Sequence, residues 1–212
     1  FHLFNHAFFK CLLFLGAGSV HHSVHTFDMR HMGGLRRWMP VTYVTMIIAG
    51  LSLAGIFPLA GFWSKDEILL ATLNHRHAIL LGPTLIVAFL SALYMSRAML
   101  IVFFGQVKPE NEHAHEAPLS MVSPLLLLAV LAAGFGFIAI DYTDSFGGLS
   151  HFLDKAHHFE INAGLAAGGI IITLLAFALG FFIYFWRRIS LEPWKGRFAF
   201  PLKLIENKYY VD

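Results

Sequence analysis

The sequence predicts an all-α integral membrane chain of about five transmembrane helices, the second of them broken near Pro58–Gly61. Three observations carry that expectation. Of the 212 residues, 57% are hydrophobic and only 13% charged, against roughly a quarter charged in a soluble domain, so a water-exposed surface would have too few polar groups. The mean hydropathy is +0.65. The apolar residues also gather into runs of about 20 or more, the length a bilayer's hydrocarbon core demands of a helix. These runs are continuously apolar and lack the short alternation of a transmembrane barrel. A net charge of +2 with no basic run argues against a nucleic-acid partner. Cys11, the single cysteine, excludes an intramolecular disulfide and is expected to be a small packing residue inside a helix.

The first run, residues 1–24, opens at Phe1 without an initiator methionine, a basic segment or a small-residue cleavage site. No signal peptide is expected, and the sequence reads as a fragment whose N-terminal part lies elsewhere. A polar connection from His25 to Pro40 holds Asp28, Arg30, Arg36 and Arg37. The second run, residues 41–73, follows Pro40, a favoured first-turn residue, and is interrupted by Gly55, Pro58 and Gly61. The third run covers residues 78–104, and a hydrophilic loop over 105–118 carries Lys108, Glu110, Glu112 and Glu116. The fourth covers 119–140, ahead of a loop with Asp141, Asp144, Asp154, Lys155 and Glu160. The fifth covers 161–186, and 187–212 is a mixed, partly basic tail. All of it reads as one membrane domain, 1–212.

Orientation follows from counting Lys and Arg in alternate connections. The 25–40 connection, the 105–118 loop and the tail carry ten (Arg30, Arg36, Arg37, Lys108, Arg187, Arg188, Lys195, Arg197, Lys203 and Lys208) against three on the other side, Lys65, Arg76 and Lys155. The first connection and the tail are therefore expected on the cytoplasmic side of a bacterial inner membrane, or its equivalent in an organelle.

Two constellations carry chemistry. His2, His6 and Lys10 are spaced i, i+4, i+8 in the first helix and share one face. Ionisable groups inside a span are costly unless they face protein or water, and such residues mark ion pathways. An imidazole accepts on one nitrogen and donates on the other near neutral pH. The competing readings are a snorkelling Lys10 beside two packing histidines, and haem ligation, for which no facing span offers a partner histidine. The second constellation is Gly55-Ile56-Phe57-Pro58-Leu59-Ala60-Gly61-Phe62-Trp63-Ser64-Lys65-Asp66-Glu67. Pro58 removes a backbone donor and the glycines loosen the helix further. Ser64 followed by Glu67 reads as a capping box that starts a new helix at Lys65, placing that cation in a first turn, where the helix dipole opposes it. Broken helices at membrane depth mark transport sites. Periodicity alone leaves this reading level with an ordinary span ending at Phe62. Arg97 is expected to snorkel, and His113 and His115 are weak metal candidates. No nucleotide fingerprint, phosphate loop or cysteine cluster is present.

The run His2-Leu3-Phe4-Asn5-His6-Ala7-Phe8-Phe9-Lys10-Cys11-Leu12-Leu13-Phe14-Leu15-Gly16-Ala17-Gly18-Ser19-Val20 closely resembles the antiporter-like L subunits of NADH–quinone oxidoreductase (respiratory complex I) and their mitochondrial subunit 5 counterparts. Asp28 to Leu35, Ala54 to Leu69 and Asn207 to Asp212 agree in order. The resemblance implies that His2, His6 and Lys10 are the central proton-transfer residues. It also implies that Lys65, beside Asp66, is the lysine of the broken helix near the outer exit. It tips the reading of that segment towards a break, although the chain has Phe57-Pro58 where the family commonly has two prolines. It further implies a proton-translocating subunit forming the output half of a channel, driven by quinone reduction elsewhere in the complex. The partners it implies are the other membrane-arm subunits and the lipid bilayer. This chain itself would carry no cofactor, with flavin, iron–sulfur clusters and quinone in partner subunits. The input half and a lateral helix after Asp212 are expected outside this sequence. The alternatives are an Mrp-type multisubunit cation/proton antiporter subunit, a photosynthetic or bicarbonate-uptake relative, and a scaffold with vestigial ionisable residues.

Overall fold

The structure, a computed structural model, describes residues 1–74, 78–106, 108–139, 161–186, 196 and 199–210. Arg76, Asp141, Asp144, Lys155, Arg187 and the other expectations on 141–160 and 187–195 lie outside these. The regular secondary structure among the described residues is helical, with no strand. α1 is His2–Val24, α2 Pro40–Ala54, α3 Ala60–Asn74, α4 Ala78–Phe103, α5 Leu119–Gly134, α6 Ala163–Gly180 and α7 the short Ala199–Glu206. A 3-10 segment, Phe135–Ala139, extends α5, and a π-helical segment, Phe181–Phe185, extends α6.

Among the described residues, four stretches are long and apolar enough to cross a membrane: His2–Val24, Ile79–Phe103, Leu119–Ile138 and Ala163–Phe185. α2 is different. At a rise of 1.5 Å per residue its 15 residues cover about 22 Å, short of the roughly 30 Å hydrocarbon core, and α3 follows only after a five-residue interruption, 55–59. The second span is thus broken. α3 begins at Ala60, which corrects the capping-box expectation. Ser64 lies in the second turn of α3, its hydroxyl turned to the Gly61 carbonyl and to His2. Lys65 consequently sits past the first turn, where the dipole argument no longer applies.

Packing places α1, α2 and α5 together, α2 against α4, and α4 against α6. Phe9, Leu12, Met39, Phe103 and Leu125 fill the centre of the first group. The α4–α6 contact uses small residues, Ala92 against Ala176 with Ala54 beside them, because close backbone approach is what holds helices together in lipid. Outward faces are apolar: Ile79 is 86% exposed and Phe14 76%. A surface of that kind belongs against lipid or further protein, not water. Cys11 lies on this exposed side of α1, not in the packing. The buried stripe of that helix runs Asn5, Phe9, Leu12, Gly16, and Cys11 falls off its period. Arg97 is exposed with its guanidinium 5.7 Å from the Tyr184 ring centre.

The 105–118 loop ties this end of the bundle together. The Asn111 amide donates to the His31 carbonyl (2.8 Å), the His115 N–H to the Ser23 hydroxyl (3.0 Å), and the Lys108 ammonium to the Arg30 carbonyl. Glu116 does more. α2 has no side-chain cap of its own, since Met39 occupies its N-cap and Pro40 its first position. The Glu116 carboxylate fills that role from 75 residues away, accepting from the Val41 N–H (2.7 Å), the Thr42 N–H (3.3 Å) and the Thr42 hydroxyl (2.5 Å). An anion there also meets the positive end of the α2 dipole. Glu116→Ala is expected to lower stability by about 1–2 kcal/mol, the range of a lost N-cap. Thermal unfolding of the purified full-length subunit checks it, and an unchanged midpoint would contradict the capping role.

Asp28 caps the 3-10 turn Met29–His31, accepting from the Arg30 N–H (2.9 Å) and pairing with its guanidinium at 2.7 Å. The Arg30 hydrogen bonds hold the Asp28 carboxyl down at about 2, from 3.8. Because the folded value is depressed, the turn gains its cap above the ordinary aspartate range and loses it as pH falls towards 2. Carboxyl carbon NMR of Asp28 is expected to titrate with a midpoint near 2, and Arg30→Gln to return it towards the ordinary value.

Candidate functional site

His2, His6 and Lys10 are brought into one column on α1, all half-buried beside the fully buried Asn5–Phe9 stripe. The His2 and His6 rings are 5.9 Å apart, and His6 meets the edge of Phe9 at 5.3 Å. Lys10 follows one turn beyond His6. At the other end of the column, His2 Nδ1 and Ser64 Oγ share a hydrogen bond of 2.9 Å, its direction set by the imidazole tautomer. Ser64 precedes Lys65, so this bond ties the histidine column of α1 to the turn of α3 that carries Lys65.

Lys65 and Asp66 are held by the break. α2 is capped by Gly55 with φ +83°, a left-handed conformation that glycine adopts without a Cβ penalty. Its N–H returns to the Leu51 and Ser52 carbonyls. The bare Cα also makes room for the lysine stem, since a Cβ there would stand 2.8 Å from Lys65 Cδ. Gly61 permits a closer approach still. A Cβ on it would lie 1.7 Å from the Ser52 carbonyl oxygen, so the start of α3 rests directly on the last turn of α2.

Polar groups at the break find partners on several helices. The Ser52 hydroxyl accepts from the Gly61 N–H (3.1 Å) and donates to the Ala132 carbonyl of α5 (3.1 Å). The Asn5 amide of α1 donates to the Ala60 carbonyl (2.9 Å). The Thr173 hydroxyl of α6 donates to the Ala54 carbonyl (3.2 Å). The Trp63 indole donates to the Pro58 carbonyl (2.9 Å). Asn5 and Ser52 are fully buried and Thr173 nearly so.

Against that satisfied backbone, three charged-group atoms stand out. Lys65 Nζ and both Asp66 carboxylate oxygens are buried with no hydrogen-bond partner. Buried polar atoms ordinarily have partners, and those without one mark functional positions or water sites. A cavity of about 30 Å³ lies beside them, lined by Lys65, Asp66, Gly55, Ala166, Gly169 and Thr173, with room for a water or two. The Asp66 carboxylate faces the backbone N–H of Asn162 at the start of α6 without closing a hydrogen bond of normal geometry. The arrangement gathers groups able to hold and release protons: an ammonium, a carboxylate, and two imidazoles, one of them hydrogen-bonded to the hydroxyl of the residue before the lysine. Among the described residues no group of three or more His, Cys, Asp or Glu could hold a metal ion.

The sequence indicated the ionisable residues but not their supports. Asn5, Ser52 and Thr173 read as isolated polar residues in apolar runs, and their pairing spans 55, 80 and 119 residues. Gly61→Ala is expected to cost more than about 2 kcal/mol, since backbone blocks the new methyl. Gly82→Ala, with open space around it, is expected to gain roughly 0.5–1 kcal/mol from helix propensity. Thermal unfolding of the two variants side by side checks both signs.

Residues 1–93 match a family model described as NADH:quinone oxidoreductase/Mrp antiporter, TM. The chain is 37% identical to the F(420)H(2) dehydrogenase subunit L of Methanosarcina mazei, over 99% of this chain and 35% of that protein. It is 36% identical to the NADH-quinone oxidoreductase subunit L of Rickettsia bellii and 39% identical to that of Campylobacter jejuni. Those matches take in the whole chain and 35% and 34% of the relatives, respectively. The chain thus spans about a third of the length of the curated relatives it matches.

Proposed function

Since the chain belongs to the family of antiporter-like membrane subunits of NADH:quinone oxidoreductases, we propose that it forms the output half of a proton channel in such a complex. Quinone reduction in partner subunits drives it. The observation that carries this reading is the His2–Ser64 hydrogen bond. It turns two separate groups of ionisable residues into one path. A proton moves between Lys10 and Lys65 through His6, His2, Ser64 and water, and leaves on the outer side past Asp66. Each imidazole takes a proton on one nitrogen and gives it from the other. The Ser64 hydroxyl passes it on by rotating. Lys65 and Asp66 sit where water is scarce, so a change of charge in a neighbouring subunit acts on them with little screening.

The subunit contributes no electron transfer of its own. The enzyme is the proton-pumping complex, with flavin, iron–sulfur clusters and quinone in its other subunits. The complex lies in a bacterial inner membrane or an organelle's inner membrane, with the 25–40 connection and the C-terminal tail on the cytoplasmic side, the side richer in Lys and Arg. The relatives named above are subunits of dehydrogenases and oxidoreductases, which favours redox-driven pumping over cation exchange of the Mrp type.

Lys10→Met and Lys65→Met in the assembled complex are expected to slow the subunit's proton translocation about tenfold or more, while electron transfer to quinone continues. Acidification of sealed inverted vesicles, measured per electron transferred, checks it. Wild-type proton yield in both variants would overturn the reading. Proton movement that requires a sodium gradient and no electron donor would transfer the same residues to an antiporter.

A further inference from the structure

The proposed path runs through α1 and α3, yet the chamber around Lys65 is closed by α6. Asn162, Ala166, Gly169 and Thr173 recur at helical spacing and share one face of that helix. Ala166, Gly169 and Thr173 line the cavity beside Lys65 and Asp66, and Asn162 presents its backbone N–H to Asp66. Ala166 and Gly169 border that cavity with little bulk, and a Cβ on Gly169 would meet Leu69 Cδ1 only at 3.8 Å. At the far end of the face, the Thr173 hydroxyl donates to the Ala54 carbonyl at 3.2 Å with both residues 2% exposed.

That bond has a short mechanical route to the lysine. Ala54 is the last residue of α2, and Gly55, which follows it, is the backbone across which the Lys65 stem lies. Ala54 O is one of the terminal carbonyls that α2 cannot satisfy within itself. Without a donor at 173 it would turn towards the nearest alternative, and the unpartnered Lys65 ammonium shares the same small cavity. A lysine hydrogen-bonded to a backbone carbonyl holds its proton more tightly than one left facing the cavity without a partner.

We propose that Thr173 is a positioning residue for Lys65: by occupying the Ala54 carbonyl it fixes Gly55 and keeps that carbonyl from capturing the lysine, so that α6 takes part in the proton exit. This rests on the reading of Lys65 as a proton-exchanging group.

The test uses the full-length subunit in its assembled complex, in sealed inverted vesicles. The amount of complex is normalised to electron transfer to quinone, and proton yield per electron is compared for wild type, Lys65→Met, Thr173→Val and Thr173→Ser. Valine keeps the shape of threonine and removes the donor; serine keeps the donor. The Lys65-dependent share of the yield is expected to fall about tenfold in Thr173→Val, the factor given by a lost interaction of about 1.4 kcal/mol, and to return with Thr173→Ser. A wild-type yield in Thr173→Val beside an impaired Lys65→Met overturns the inference and leaves the channel reading intact. Equal losses in Val and Ser also overturn it, because space and not the hydroxyl would then matter. A wild-type yield in Lys65→Met overturns the channel reading, and the inference with it. Should valine prevent assembly, Thr173→Ala removes the hydroxyl without setting a methyl against the carbonyl, and the same outcomes apply.

Discussion

A helix interrupted inside a bilayer leaves carbonyl and N–H groups that neither lipid nor the helix itself satisfies, and each such group costs several kcal/mol if it stays bare. The interruption at 55–59 persists because four helices supply donors and acceptors to it. Asn5 reaches Ala60, Thr173 reaches Ala54, and Ser52 joins Gly61 to Ala132. The bundle arrangement follows from that requirement. α1, α5 and α6 must each come close enough to α2 and α3 for one short polar side chain or carbonyl to touch the break, and the small residues at the α4–α6 contact and Gly61 at the α2–α3 contact allow it.

The same constraint explains why ionisable groups are tolerable here. Lys65 and Asp66 are turned towards protein and a small cavity, not towards lipid, and His2 is hydrogen-bonded to Ser64. The outward faces stay apolar. Polarity is spent at the break and along one edge of α1, and at the opposite end of the helices the 105–118 loop provides a separate set of bonds through Glu116, Asn111 and His115. Among the described residues, two sets of polar contacts thus stand apart, with the mainly apolar cluster around Phe9, Leu12 and Leu125 beside them. One holds the break and its charges open, and the other anchors α2 so that its far end is a fixed reference for them.

Much of this was legible beforehand, and for physical reasons. Runs of apolar residues about 20 long report a bilayer directly, and Pro58 with two flanking glycines marks where a helix can break, a reading that the family resemblance tipped. The i, i+4, i+8 spacing of His2, His6 and Lys10 reports a shared face because the helix period is fixed. The expectations that missed were those that tried to read a local motif as a local structure. Ser64 and Glu67 have the spacing of a capping box, but Gly61 packs on Ser52 and starts the helix earlier, so the Ser64 hydroxyl turns to His2. Free cysteine is usually buried, which points Cys11 to the packing; its place on the helix, off the Asn5–Phe9–Leu12 stripe, puts it on the exposed side instead.

By itself, then, the sequence determined the class of environment, the helices and the column of ionisable residues, since all of these depend on composition and on the periodicity of neighbours in the chain; the break in the second span was level with an unbroken one until the family resemblance tipped it and the structure showed it. Only the tertiary structure decided which groups meet: that His2 touches Ser64, that Glu116 caps a helix 75 residues away, and that Thr173 and Asn5 hold the ends of the break. Hydrogen bonds between distant residues leave no periodic trace, because a single serine, threonine or asparagine in an apolar run looks the same whether it faces a free carbonyl or nothing at all.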